Sequence, residues 1–234
     1  MSASIRETIN QLWPHRGRGV VRLYNLPQHG ASRFDNMPAR YNIAPTQDVG
    51  VVQLNRYGQR EFAMLRWGLI PYWAKDMKIA FSTINAMAET LATKPAFREA
   101  FQHRRCLVLA DGFYEWVPTG AKQKQPYLIR MLDQQPFAFA GLWERWHERQ
   151  RDDVIESCTI VTVPPNDVCA PIHDRMPAIL SRDDYSQWLG EVETTPEELR
   201  AMLKPCAAPI EAVAVSTKVN SPKNEGRELL ERVA

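Results

Sequence analysis

The chain has 234 residues, of which 44% are hydrophobic and 24% charged, enough apolar material for one substantial buried core. Twenty-nine Lys and Arg against 27 Asp and Glu leave a formal net charge of +2, so any nucleic-acid contact has to come from a local basic surface. No apolar run approaches the roughly 18 residues of a membrane span, and the arginine-bearing N-terminus has no apolar h-region, so the sequence reads as cytoplasmic.

From Met1 to Ala39 the chain is irregular, with Gly17, Gly19, Pro27, Gly30 and Pro38 among scattered arginines, and it is read as a divergent N-terminal segment. After Arg40, short apolar runs alternate with turn residues. Strands are predicted at 49–54, 60–68, 106–110, 112–117, 126–131, 137–143, 157–163 and 210–215. Pro118-Thr119-Gly120 and Leu132-Asp133-Gln134 are short enough for hairpins between antiparallel neighbours. Helices are predicted at 94–104 behind a Thr93 cap, at 182–189 behind a Ser181–Asp184 capping box, and from Pro196 to near Lys204 behind Thr195. With no repeat or internal linker, residues 40–234 read as one α+β domain. The cysteines, Cys106, Cys158, Cys169 and Cys206, lie far apart with no CxxC pair and read as buried free thiols.

Five segments have the composition of a site. Asn42 and Pro45 lie in Arg40-Tyr41-Asn42-Ile43-Ala44-Pro45, where an Asn can lock a loop through nearby backbone groups. Trp67 and Trp73 lie in an aromatic bend, Trp67-Gly68-Leu69-Ile70-Pro71-Tyr72-Trp73, fit either for base stacking or for core packing. Asn85 sits at an element boundary. Strand alternation puts Glu115 on the face of Phe113 and Val117, where apolar neighbours favour the protonated carboxyl of a general acid; pairing with an Arg is the structural alternative. His173 lies between Pro171 and Pro177, beside Asp174 and Arg175, in a backbone stiff enough to hold an imidazole for proton transfer or for a purely structural role. HExxH, zinc-spaced Cys/His pairs, GxSxG and phosphate-binding glycine loops are absent, so neither a metal nor a cofactor is expected.

In order, RYNIAPTQ, LRWGLIPYWAKD, INAMAET, RRCLVLADGFYEW, QPYLIR, IHDRMPAIL and VNSPKNEG closely resemble the SRAP family, the SOS-response-associated peptidases that process abasic sites. The resemblance implies a strand-rich, barrel-like core flanked by helices, a groove for single-stranded DNA, and covalent capture of the abasic sugar by an N-terminal cysteine. It further implies that Asn85 orients the N-terminal residue and lesion, that Glu115 opens the deoxyribose ring and transfers protons, and that His173 is a second acid-base group. Asn42 and Pro45 would support the N-terminal residue, and Trp73 would unstack bases. This chain opens Met1-Ser2-Ala3-Ser4, without the family's Cys-Gly-Arg, which removes the thiazolidine route. Ser2 would retain an amine able to form a Schiff base after removal of Met1, but only a weakly nucleophilic hydroxyl. Met87 stands where the family usually has Arg or Lys on a DNA phosphate. Two readings follow: a monomeric crosslinker of abasic single-stranded DNA, or a non-catalytic single-stranded DNA binder, the absence of the start cysteine reflecting divergence or an altered start.

Overall fold

The alternation read after Asp48 folds into a hairpin of β3 (Asp48–Leu54) and β4 (Arg60–Trp67), with Val49 opposite Leu65 and Leu54 opposite Arg60. The computed structural model describes residues 8–11, 17–27, 37–120, 123–148 and 152–233. Antiparallel pairing continues from β3 to β6 (Arg105–Ala110), from β6 to β9 (Phe137–Glu148), and from β9 to β10 (Asp153–Val163). β10 then meets β4 in parallel, with Ser157 opposite Arg66 and Cys158 opposite Trp67. The order β4-β3-β6-β9-β10 therefore closes on itself as a five-stranded barrel, which satisfies backbone groups that an open sheet would leave at its edges. Cys106 and Cys158 are fully buried in its walls, and burial pushes both thiols well above the ordinary range.

A second sheet has the order β12-β8-β7-β1-β2. Its strands are β1 (Thr8–Gln11), β2 (Arg40–Ile43), β7 (Gly112–Pro118), β8 (Lys124–Met131) and β12 (Ile210–Ala214). Alternation turns Phe113 toward the barrel, where its ring meets Phe139 edge-on at 5.8 Å. The opposite face packs Tyr114, Leu128 and Val213 against Val219 and Leu229 of the C-terminal segment.

β7 and β8 form the expected hairpin, closed by Thr119 N–H to Gln123 O at 3.0 Å. The connection at Leu132–Gln134 does not form one. It carries the chain from β8 in the second sheet to β9 in the barrel, whose partners are β6 and β10.

The segment before Arg40 supplies two core elements. β1 lies between β2 and β7, and α1 (Gly17–Leu23) contributes buried Val20 and Val21, followed by buried Tyr24 and Leu26. Gln11 fastens β1 to the barrel: its Nε2 donates to Gly50 O (3.2 Å) and Leu109 O (2.7 Å), while its Oε1 accepts from Gly50 N–H (3.0 Å). All four β1 residues are buried, so the strand carries no polar-apolar alternation for sequence reading to detect.

The helices are shorter than their patterns suggest. Residues 94–97 form turns, with Lys94 N–H on Thr90 O, and α2 covers only Arg98–His103. Pro95 disfavours helical geometry at Lys94, and the Thr93 hydroxyl bonds back to Thr90 O rather than capping. Before α3 (Tyr185–Leu189), the backbone carbonyl of Ser181 takes Asp184 N–H at 3.1 Å, making a 3-10 turn in place of the expected capping box. At α4 (Pro196–Met202) the box forms: Thr195 Oγ1 accepts Glu198 N–H at 3.2 Å, and Glu198 Oε2 accepts Thr195 N–H at 2.8 Å. Among the described residues no helix is long and apolar enough to cross a membrane.

Candidate active site

Pairing of β10 with β9 stops at Ile160 opposite Gly141, and the last residues of β10 acquire two short neighbours. β5 (Asn85–Met87) lies parallel to it, with Asn85 opposite Ile160 and Met87 opposite Thr162. β11 (Met176–Pro177) lies antiparallel, with Pro177 opposite Thr162. One strand thus brings together the segments that carry Asn85 and His173, which are far apart in sequence.

Arg175 joins the same two segments. Its Nη1 and Nη2 donate to the two carboxylate oxygens of Glu89, at 2.7 and 2.9 Å, and Nη2 also donates to Thr162 O. A forked guanidinium on a carboxylate fixes orientation as well as distance. These bonds to Arg175 hold the Glu89 carboxyl below its ordinary 4.5. A carboxylate with a depressed folded-state pKa contributes stability above its unfolded value, and that contribution is lost as pH falls through the lower folded value. In urea unfolding followed as a function of pH, Glu89→Gln should therefore lie below wild type above about pH 5, in line with a group depressed from 4.5. The two curves should converge in more acidic solution, and parallel curves down to the acid limit would exclude this role.

The turn after β10 joins His173 to Glu115. Asn166 builds it, its Oδ1 accepting from Cys169 N–H at 3.1 Å and its Nδ2 donating to Cys206 O at 3.0 Å. His173 N–H donates to Cys169 O at 2.9 Å. Glu115 is 4% exposed and lies close enough for its charge to act on the Cys169 thiol. Burial first, then Glu115 and Cys206, push that thiol up to about 12. Cys169 is therefore a protonated, buried thiol at neutral pH rather than a thiolate nucleophile.

The His173 ring is mostly covered. Its Nδ1 accepts Arg175 N–H at 3.0 Å, and an amide N–H can only donate, so the neutral ring carries its proton on Nε2. Asp174 Oδ1 is 3.1 Å from the same nitrogen, which would require a proton there. A second acceptor, Arg175 O, lies 3.2 Å from the same nitrogen, so a proton gained on Nδ1 meets two acceptors. The ring thus offers Nε2–H as a donor and has an acceptor for Nδ1–H when charged.

The remaining predicted residues separate into three groups. Asn42 is fully buried, and its Nδ2 donates to Val219 O and Ser221 O, both at 3.0 Å, and toward Asn224 O at 3.4 Å; it ties down the C-terminal segment and has no surface for DNA. Trp67 is corrected likewise: it is 0% exposed, with its indole N–H on Ile84 O at 2.9 Å, so a base cannot reach either ring face. Pro45 is half-buried, in a tip pinned to the end of β4 through Thr46 N–H to Trp67 O at 2.8 Å and Arg66 Nη1 to Thr46 O at 2.9 Å. Trp73 is 48% and Met87 43% exposed, and Met87 shares a strand face with Asn85. Ser2 lies outside the described residues.

Trp73 borders an open cleft of about 760 Å³, lined also by Arg66, Tyr72, Lys75, Lys78 and Phe81. Tyr72, from the aromatic bend, is exposed there, as is Phe81, which the sequence reading did not select as a site residue. Phe81 follows the apolar pair Ile79-Ala80, so in sequence it reads as one more core residue and carries no sign of its exposure.

A closed barrel with a second sheet laid on it is the architecture that the comparisons match. The model of the SOS response associated peptidase (SRAP) family matches residues 14–222, and the chain belongs to that family. It is 44% identical over 192 residues to the abasic site processing protein YoqW of Bacillus subtilis, covering 82% of this chain and 85% of YoqW. It is 32% identical over 221 residues to the abasic site processing protein HMCES of Gallus gallus, covering 81% of this chain and 65% of that protein. A crystal structure of a protein from Bacteroides thetaiotaomicron superposes with a TM-score of 0.83 at 25% identity, covering 97% of this chain and all of that one.

Proposed function

We propose that this protein processes abasic sites in single-stranded DNA, forming a covalent Schiff-base link through the amine of Ser2 once Met1 is removed. The observation that carries the reading is that β10 aligns the segments of Asn85 and His173, with Glu115 close to Cys169 in the turn that follows. β1 supports it: Thr8 pairs with Tyr114 and Ile9 with Phe113, so toward its N-terminus the strand advances in the direction of Glu115. The relatives' names supply the abasic site.

In this reading the exposed rings of Trp73, Tyr72 and Phe81 hold bases beside the lesion, while Arg66, Lys75 and Lys78 neutralise phosphates. Glu115 gives a proton to the leaving oxygen as the sugar ring opens to its aldehyde. The Ser2 amine adds to C1′, and loss of water from the carbinolamine, assisted by Glu115 and the His173 Nε2–H, leaves an imine. No thiol follows to close a thiazolidine, so the link remains reversible. The protein acts as a cytoplasmic monomer and needs no metal for this condensation. Met87 supplies no phosphate contact, which lowers the salt dependence of binding by roughly one counterion.

Purified protein, its N-terminus read by mass spectrometry, is incubated with an abasic oligonucleotide with and without borohydride. A denaturation-resistant adduct trapped only with borohydride is the expected result. Salt-dependent binding without any adduct would replace this reading by the second one, a non-catalytic binder that shields damaged single strands. Absence of binding would remove both.

A further inference from the structure

The residues on either side of Glu115 point away from it, toward the C-terminal segment. Tyr114 Oη donates to Tyr41 O at 3.0 Å, and Trp116 Nε1 donates to Asn220 Oδ1 at 2.6 Å. Tyr41 is itself held from behind: its N–H donates to Glu225 Oε2 at 2.7 Å, while Arg40 Nε donates to Glu225 Oε1 at 3.1 Å. The other arm of Arg40 reaches Gln47 Oε1 at 2.9 Å, which also accepts Ala44 N–H at 3.0 Å across the Pro45 loop. Asn42 adds its bonds to the carbonyls of Val219 and Ser221.

Glu225 therefore couples β2, which it holds directly, to β7, which it holds through the Tyr41 peptide and Tyr114. The strand between those two is β1, with Ile9 opposite Ile43 on one side and Phe113 on the other. We propose that Glu225 is a positioning residue, fixing Glu115 on β7 relative to β1. Its carboxylate touches neither the cleft nor Glu115, and the inference rests on the abasic-site reading for its kinetic consequence. A displacement of about 1 Å between reacting groups can lower a rate a hundredfold, so even a partial loosening of this tie is measurable.

The test compares Glu225→Ala with Glu225→Gln, which keeps an acceptor for Tyr41 N–H. Single-turnover borohydride trapping at saturating protein gives the rate of adduct formation, and titration with an undamaged oligonucleotide gives the affinity. Glu225→Ala should form adduct roughly tenfold more slowly with affinity unchanged within twofold, and Glu225→Gln should recover most of the rate. A wild-type rate in Glu225→Ala would overturn the proposal, as would rate and affinity falling together with the folded fraction. If wild type itself forms no adduct, the abasic-site chemistry fails separately. The positioning claim is then decided by the carboxyl ¹³C resonance of Glu115, assigned against Glu115→Gln. A displaced resonance in Glu225→Ala sustains it, and an unmoved one overturns it.

Discussion

Glu115→Gln is expected to slow formation of the borohydride-trapped adduct by about 10² to 10³-fold, the usual contribution of a positioned proton-transfer group, while single-stranded DNA affinity changes by no more than a few-fold. The amide has the size of the carboxyl, so the packing beneath β7 survives and the effect is confined to proton transfer. Glu115 is 4% exposed and stands among groups that do not ionise readily, with the Cys169 thiol, pushed up to about 12, beside it. Single-turnover trapping measures the rate, and the unfolding midpoint verifies that the variant is native. A loss smaller than tenfold would mean that the ring opens and the imine forms without this carboxyl, leaving His173 or solvent as the proton source.

The second large effect concerns stability. Gly68→Ala is expected to cost about 3 to 5 kcal/mol, combining left-handed backbone strain with overpacking. Gly68 has φ +121°, and an added Cβ would lie 2.7 Å from Ala80 O and 3.2 Å from Ala80 Cβ. Neither neighbour is the end of a flexible side chain. Movement of Gly68 is blocked by its N–H on Cys158 O at 2.9 Å, and the next two residues are bonded to Thr83 O and Ser157 Oγ. This is where β4 leaves the barrel and turns toward Trp73, so the strain would also displace the aromatic edge of the cleft. Urea unfolding should show a midpoint far below wild type. A change under about 1 kcal/mol would show that the bend has slack the packing does not reveal.

The barrel strands β3, β4, β6, β9 and β10 were legible because they are long enough for apolar runs and turn residues to mark them, while a barrel-like core was implied only by the family resemblance. β1, β5 and β11 were not legible: they have two to four residues each and take their conformation from β10 or from the second sheet. Glu115 and His173 were found partly on local chemistry and, with Asn85, on the resemblance. What holds them was invisible. The Arg175–Glu89 pair spans 86 residues and the Arg40–Glu225 pair 185, and a lone Glu or Arg in a loop carries no sign of so distant a partner. Trp67 and Trp73 show the same limit from the other side. Both lie in one aromatic bend, yet one is sealed in the core and the other is half-exposed, and only the path of the chain after Gly68 separates them.

β10 is shared by the wall of the barrel and by the short strands that carry Asn85 and the segment after His173. Pairing of its first half closes the barrel onto β4, a long-range step that pays a large loop-closure entropy before it yields any contact. The second half has no template for β5 or β11 until that closure is complete. β10 is held by β9 from Asp153 to Ile160 and by β4 at Ser157 and Cys158, and the residues that carry β5 and β11, Ile160 to Val163, continue directly from that anchored stretch. The alignment of the two residues is therefore a property of the cooperative unit as a whole: it arises with barrel closure and persists for as long as the barrel does.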